Sequence, residues 1–167
     1  MIIGSSGAGK SVFSQQLHAI TKLPLHHLDR LFWGPKWQES DKEKFRKRVA
    51  DLAKGDRWII DGNYGSTIEV RAKEADTIIF FDYPRYLCLH RALKRFLRGW
   101  VQGYQRSDMT EECPERITWQ FICWVWTYPY KGRKIALEKI REAGFPEEQI
   151  IFFRNEKQKE HFLREVL

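Results

Sequence analysis

The chain has 167 residues, 43% hydrophobic and 31% charged, with a formal net charge of +7. That balance fits one globular domain with a sizeable core and excludes a disordered chain. The positive charge leaves three classes of partner: a nucleic acid, a membrane surface, or small polyanionic ligands.

Met1-Ile2-Ile3 reads as a short strand, and residues 4 to 11 follow it as Gly4-Ser5-Ser6-Gly7-Ala8-Gly9-Lys10-Ser11. This is a complete phosphate-binding loop: Gly, four residues, Gly, Lys, Ser. Glycines let the backbone approach a phosphate closely, and successive N–H groups form a nest for its oxygens. The next helix adds the positive end of its dipole. Lys10 would reach the β- and γ-phosphates of ATP, and the Ser11 hydroxyl would ligate Mg²⁺. Because the loop begins at residue 4, no signal peptide fits. Either the first strand is short or the chain extends upstream of Met1.

Lys10–Thr21 reads as a helix carrying Val12, Leu17 and Ile20. Pro24–Leu28 is a short strand ending at Asp29, which could accept a hydrogen bond from an acceptor hydroxyl, act as a general base, or cap a turn. His26 and His27 are adjacent, and neighbours on a strand face opposite ways, which argues against a metal site built from both. Trp33 and Trp37 could wall an acceptor pocket or pack the core. Asp41–Lys54 is an amphipathic helix with Phe45, Val49 and Leu52 on one side. Arg57–Ile60 is a strand ending at Asp61-Gly62, where a carboxylate can hold Mg²⁺ through water.

A turn and a short helix run to Ala75. Thr77-Ile78-Ile79-Phe80-Phe81 is a continuous apolar run, as in a strand covered on both faces. Pro84 starts a helix through about Phe96. From Arg85 to Arg106 the chain carries Arg91, Lys94, Arg95 and Arg98, with no acid before Asp108. Arg91 and Arg95 are four apart and share a helix face. Gly99–Glu112 is polar and aperiodic and reads as a mobile excursion. Together these suggest an arginine-bearing lid, about residues 97–115, closing over nucleotide. The alternatives are a solvated basic helix, or a nucleic-acid patch with Trp100 and Tyr104 for stacking.

Pro114 reads as the start of a broadly buried helix that ends near Pro129. Ile135–Ala143 is helical, Ile150–Phe153 is a strand and Glu156–Leu167 a helix. The apolar stretch around Phe121–Val125 is too short to span a membrane, and no membrane partner is expected. Cys88, Cys113 and Cys123 lack metal-type spacing and suit reduced thiols in a cytoplasmic protein. Alternating strands and helices predict a single α/β domain over residues 1–167, with a parallel sheet and ligands at the strands' carboxyl ends.

The loop, His27-Leu28-Asp29-x-Leu31-Phe32-Trp33, Trp58-Ile59-Ile60-Asp61-Gly62-Asn63-Tyr64, Asp82-Tyr83-Pro84-Arg85 and Cys113-Pro114-Glu115-Arg116 together resemble the bacterial DNA topology modulation protein family, adenylate-kinase-like phosphate-loop proteins. The resemblance covers essentially the whole chain. It implies a five-stranded parallel sheet with helices on both faces and a lid, as in nucleoside monophosphate kinases. It implies that Arg91 stacks on the donor adenine, that Arg95 contacts phosphates, and that Arg106 or Arg116 contacts the transferring group. It further places Arg71 at an acceptor anion and Asn155, in Arg154-Asn155-Glu156, at the donor base. The stretch from Asp29 to Gln38 departs from a mononucleotide pocket and is more similar to the acceptor sites of small-metabolite kinases such as shikimate kinase. The expected function is therefore an ATP- and Mg²⁺-dependent phosphotransferase acting on a nucleotide or small metabolite. The alternatives are a nucleotide-regulated DNA-binding protein and an NTPase without an acceptor.

Overall fold

The computed structural model describes residues 1–102, 108–109, 113 and 116–166, the side chain of Gln102 excepted. Its centre is a five-stranded sheet of β1 (Ile2–Gly4), β2 (Leu25–His27), β5 (Ile59–Asp61), β6 (Ile78–Phe81) and β7 (Ile150–Phe153). The order is β2-β5-β1-β6-β7 and every pairing is parallel. Parallel neighbours need long crossovers, and helices supply them. The crossovers are α1 (Lys10–Thr21), α2 (Leu28–Phe32), α3 (Lys42–Ala53), α4 (Ile68–Glu74), α5 (Arg85–Gln102), α6 (Trp119–Thr127) and α7 (Gly132–Glu142), and α8 (Glu156–Val166) closes the chain. A small antiparallel pair, β3 (Trp33–Gly34) and β4 (Gln38–Glu39), lies outside the main sheet.

Strand periodicity sends alternate side chains to opposite faces. Ile3, Ile78 and Phe80 join Ile68, Ala72, Leu137 and Ile140 from α4 and α7. Ile2, Ile79 and Phe81 join Phe13, Cys88 and Phe153 on the other face. Phe45, Val49 and Ala53 of α3 pack on Leu28, Phe32 and Ile60. Phe13 anchors the second face. It is fully buried, with its ring centroid 5.4 Å from that of Phe81 and 5.3 Å from that of Phe153. The buried side of α1 is thus set by Phe13 and its partner Leu17, whereas Val12 is exposed.

Three local expectations change. Asp29 lies in the first turn of α2 and not at a strand end. α5 continues through Gln102, so residues 97–102 are helical and not part of an irregular excursion. α6 begins at Trp119, with the Thr118 hydroxyl accepting from the Phe121 amide. It is buried at Val125 alone, while Trp119, Trp124 and Trp126 are exposed. Pro114 lies outside the described residues.

Among the described residues no helix is long and apolar enough to cross a membrane.

Replacing Phe13 by Ala should cost about 3–5 kcal/mol, because three aromatic neighbours lose a partner that the sheet cannot replace. Urea unfolding with unchanged slope would measure this, and a loss below about 1 kcal/mol would contradict the anchoring role.

Candidate functional site

A cleft of about 490 Å³ opens at the carboxyl ends of the strands. β1 lies between β5 and β6; the chain runs from β1 outward to β2 on one side, returns to β5 and then crosses to β6 on the other, so the strand order reverses beside β1, where doubly wound sheets bind ligands. Ser6, Gly7, Gly9, Lys10 and Ser11 line the cleft, whereas Gly4, Ser5 and Ala8 are buried beneath the loop. Gly9, with φ of 92°, leads into α1 and accepts from the Phe13 amide. The Lys10 ammonium donates to the Ser5 carbonyl at 2.9 Å, which arches it across the loop.

Gly7 has a specific reason to be glycine. Its φ is +78°, and a Cβ there would lie 2.1 Å from the Cys88 carbonyl oxygen of α5. The loop therefore touches α5 backbone to backbone. Gly62 is also held to glycine, here by a side chain: its φ is +144°, and a Cβ would lie 2.7 Å from the Cβ of Leu28. This closeness sets the Asp61 turn against the start of α2.

One end of the cleft is polar. His27 Nδ1 lies 3.1 Å from Asp61 Oδ2, and both side chains are buried. The Ser11 hydroxyl makes a short hydrogen bond to Asp108 Oδ2. One donor atom each from His27, Asp61 and Asp108 fall within 4.8 Å of one another. This group can hold a metal ion. The other end is aromatic. Trp33 and Trp37 meet edge to face at 5.3 Å, Tyr64 donates to Asp29 Oδ1 at 2.8 Å, and Trp124 completes the wall. Arg116 lies over the Trp37 ring at 4.4 Å. Arg95 reaches the same cleft from α5.

The structure thus brings together Lys10, Ser11, Asp29, Trp33, Asp61, Arg95 and Arg116. It separates three others. Arg71, expected at an acceptor anion, is fully buried and does not line the cleft. Its Nε and Nη1 donate to the Thr67 and Gly62 carbonyls at 3.2 and 3.0 Å. Burial pushes its pKa down to about 9, opposed by the Asp61 carboxylate, so it stays charged at neutral pH and serves as a countercharge beneath the Asp61 turn. Arg91 also lies off the cleft. Its guanidinium is 2.7 Å from Glu156 Oε1 and 5.4 Å from the Tyr83 ring centroid. Asn155 is beside it, where its Oδ1 accepts from the Gln158 amide at 3.0 Å. Arg91 and the 154–156 segment are brought together, but outside the main cavity. Arg106 and Tyr104 lie outside the described residues. Arg98 and Trp100 are exposed on the last turns of α5.

Two site residues escaped the sequence reading. Strand alternation argues against a site built from both His26 and His27 and does not say which of the two faces inward; it is His27 that is buried at the cleft. Asp108 lay in a segment read as mobile, yet Asp108, Met109 and Cys113 are all buried, and the Cys113 thiol contacts the Gly34 carbonyl at 3.2 Å. One signal was present: Asp108 is the first acid after the arginine run. Burial pushes the Cys88 thiol pKa up despite Lys10 and Arg91 nearby, which disfavours the thiolate.

No protein-family model matches the chain, and no curated protein matches it.

Arg71→Met should destabilise the fold by about 3–5 kcal/mol, because it strips the buried Asp61 of its countercharge and two carbonyls of their donor. Adding Asp61→Asn should recover part of that loss in a double-mutant cycle. Strict additivity in chemical denaturation would show that the two charges are not coupled.

Proposed function

We propose that the chain is an ATP-dependent phosphotransferase with a small-molecule or nucleotide acceptor. The observation that carries the proposal is the convergence on one cleft of a loop with the phosphate-binding sequence pattern, a carboxylate–imidazole cluster beside it, and two arginines. Phosphoryl transfer asks chiefly for position and for positive charge around the migrating group. Each need has a matching residue.

In this reading ATP is the donor substrate, held by the backbone of residues 4–11 and the Lys10 ammonium. Ser11, and Asp61 through water, would hold a Mg²⁺ brought in with the donor phosphates, whose charge it would neutralise. The donor set fits such an ion, as it pairs a hydroxyl with a buried carboxylate beside the loop. Arg95, at the α5 edge, balances charge on the migrating group. Arg116, over the Trp37 ring, lines the same cleft, and Arg106 is a further candidate outside the described residues. Asp29 accepts the proton of an acceptor hydroxyl, with Tyr64 donating to its other side and fixing the carboxylate. The Trp33–Trp37 pair holds the flat or apolar part of the acceptor and excludes water.

The test is incubation of the protein with ATP, Mg²⁺ and a panel of hydroxyl- and phosphate-bearing acceptors. ADP release and phosphorylated product are followed separately. Acceptor-dependent ADP release is expected, and Lys10→Ala should lower kcat by about 10²–10³-fold. Asp29→Asn should abolish acceptor phosphorylation while leaving slow phosphate release. If phosphate is the sole product with every acceptor, the chain is an NTPase and the acceptor half of the reading fails.

A further inference from the structure

We propose that His27, Asp61, Asp108 and Ser11 form a site for a first-row transition-metal dication, bound directly through the His27 imidazole and without any nucleotide. The site shares Ser11 and Asp61 with the proposed phosphotransferase. It stands on the geometry of the four side chains and not on that activity.

The first argument is spacing. Two donors about 2.1 Å from a metal and at right angles to each other lie about 3 Å apart. His27 Nδ1 and Asp61 Oδ2 are 3.1 Å apart, which is such an edge. Ser11 Oγ and Asp108 Oδ2 form a second close pair. The donor atoms of His27, Asp61 and Asp108 already lie within 4.8 Å of one another, so a shift of a few tenths of an ångström would bring them to one ion.

The second argument is an unmet polar group. Asp61 is 4% exposed, and among the described residues its Oδ1 has no hydrogen-bond partner. A buried carboxylate oxygen in that condition is costly, and a cation offsets the cost. Arg71 supplies countercharge but donates its hydrogen bonds to the Gly62 and Thr67 carbonyls.

The third argument is donor chemistry. Two carboxylates, one hydroxyl and one imidazole make a mixed oxygen–nitrogen donor set. Mg²⁺ prefers oxygen and keeps its waters, whereas imidazole favours the later first-row metals. A nitrogen donor from His27 therefore tilts the site from Mg²⁺ toward the Mn²⁺-to-Zn²⁺ range. Asp108 comes from the segment after α5, so binding would also tie that segment to the loop at Ser11.

The probe is Mn²⁺ alone, added to the full chain without nucleotide and followed by electron paramagnetic resonance. One bound Mn²⁺ per chain is expected, with nitrogen modulation in the pulsed spectrum from a directly bound imidazole. His27→Gln should remove that modulation. Asp108→Asn, at a residue outside every helix and strand, should weaken Mn²⁺ at least about tenfold. Zn²⁺ should displace the ion, and Mg²⁺ at equal concentration should not. Bound Mn²⁺ without nitrogen modulation, or modulation that survives His27→Gln, would overturn the site. So would absence of bound Mn²⁺ at millimolar metal in the wild-type chain. Because no nucleotide is present, these outcomes are separate from success or failure of the phosphotransferase assay.

Discussion

The arrangement depends on one close approach, between the backbone of the Gly7 turn and the backbone of α5. Nothing larger than hydrogen fits at Gly7, where a Cβ would lie 2.1 Å from the Cys88 carbonyl oxygen. Contact at this range fixes the height of α5 above the loop and its rotation. Cys88, Ala92 and Arg95 are spaced by four and three residues, so they share one helical face. With Cys88 and Ala92 buried against the loop, Arg95 comes to the rim of the cleft two turns farther on. The position of a cationic side chain thus follows from a main-chain contact that carries no charge.

The second constraint is electrostatic. The strand end at Asp61 places a carboxylate in the interior beside the sheet, with His27 on the neighbouring strand. A buried carboxylate is tolerated only with compensation. Arg71 supplies it from below, held by carbonyls of the turn that follows Asp61. The arginine is consequently spent on the scaffold. The arginines that line the cleft, Arg95 and Arg116, come instead from α5 and from the segment before α6.

The aromatic end of the cleft has a local origin. Lys36 and Trp37 both adopt left-handed backbone, with φ of 56° and 64°, and reverse the chain between β3 and β4. Non-glycine residues in that region are uncommon, and their conformation persists only where packing holds it. Here Trp37 is held between the Trp33 ring and the Arg116 guanidinium. The Cys113 thiol donates to the Gly34 carbonyl at the other end of the same turn.

The sequence by itself determined the five strands of the parallel sheet and their alternation with helices. These depend on local rules: apolar runs of strand length, helical periodicity, glycine and proline punctuation. It also marked Lys10, Ser11, Asp29, Asp61 and Arg95 for one end of the sheet, because residues after parallel strands share that end whatever their packing. The tertiary structure decided which side chains reach the cleft. Arg71 and Arg91 carry the same charge as Arg95 and sit on equally plausible helices, yet one is drawn inward by two carbonyls and the other outward by Glu156. Asp108 and His27 joined the site for the complementary reason. Their value lies in proximity to residues 97 and 34 positions away, a distance in space that no local pattern encodes. Charge and periodicity are written along the chain, whereas the competition among partners for each charged group is settled only when the elements pack.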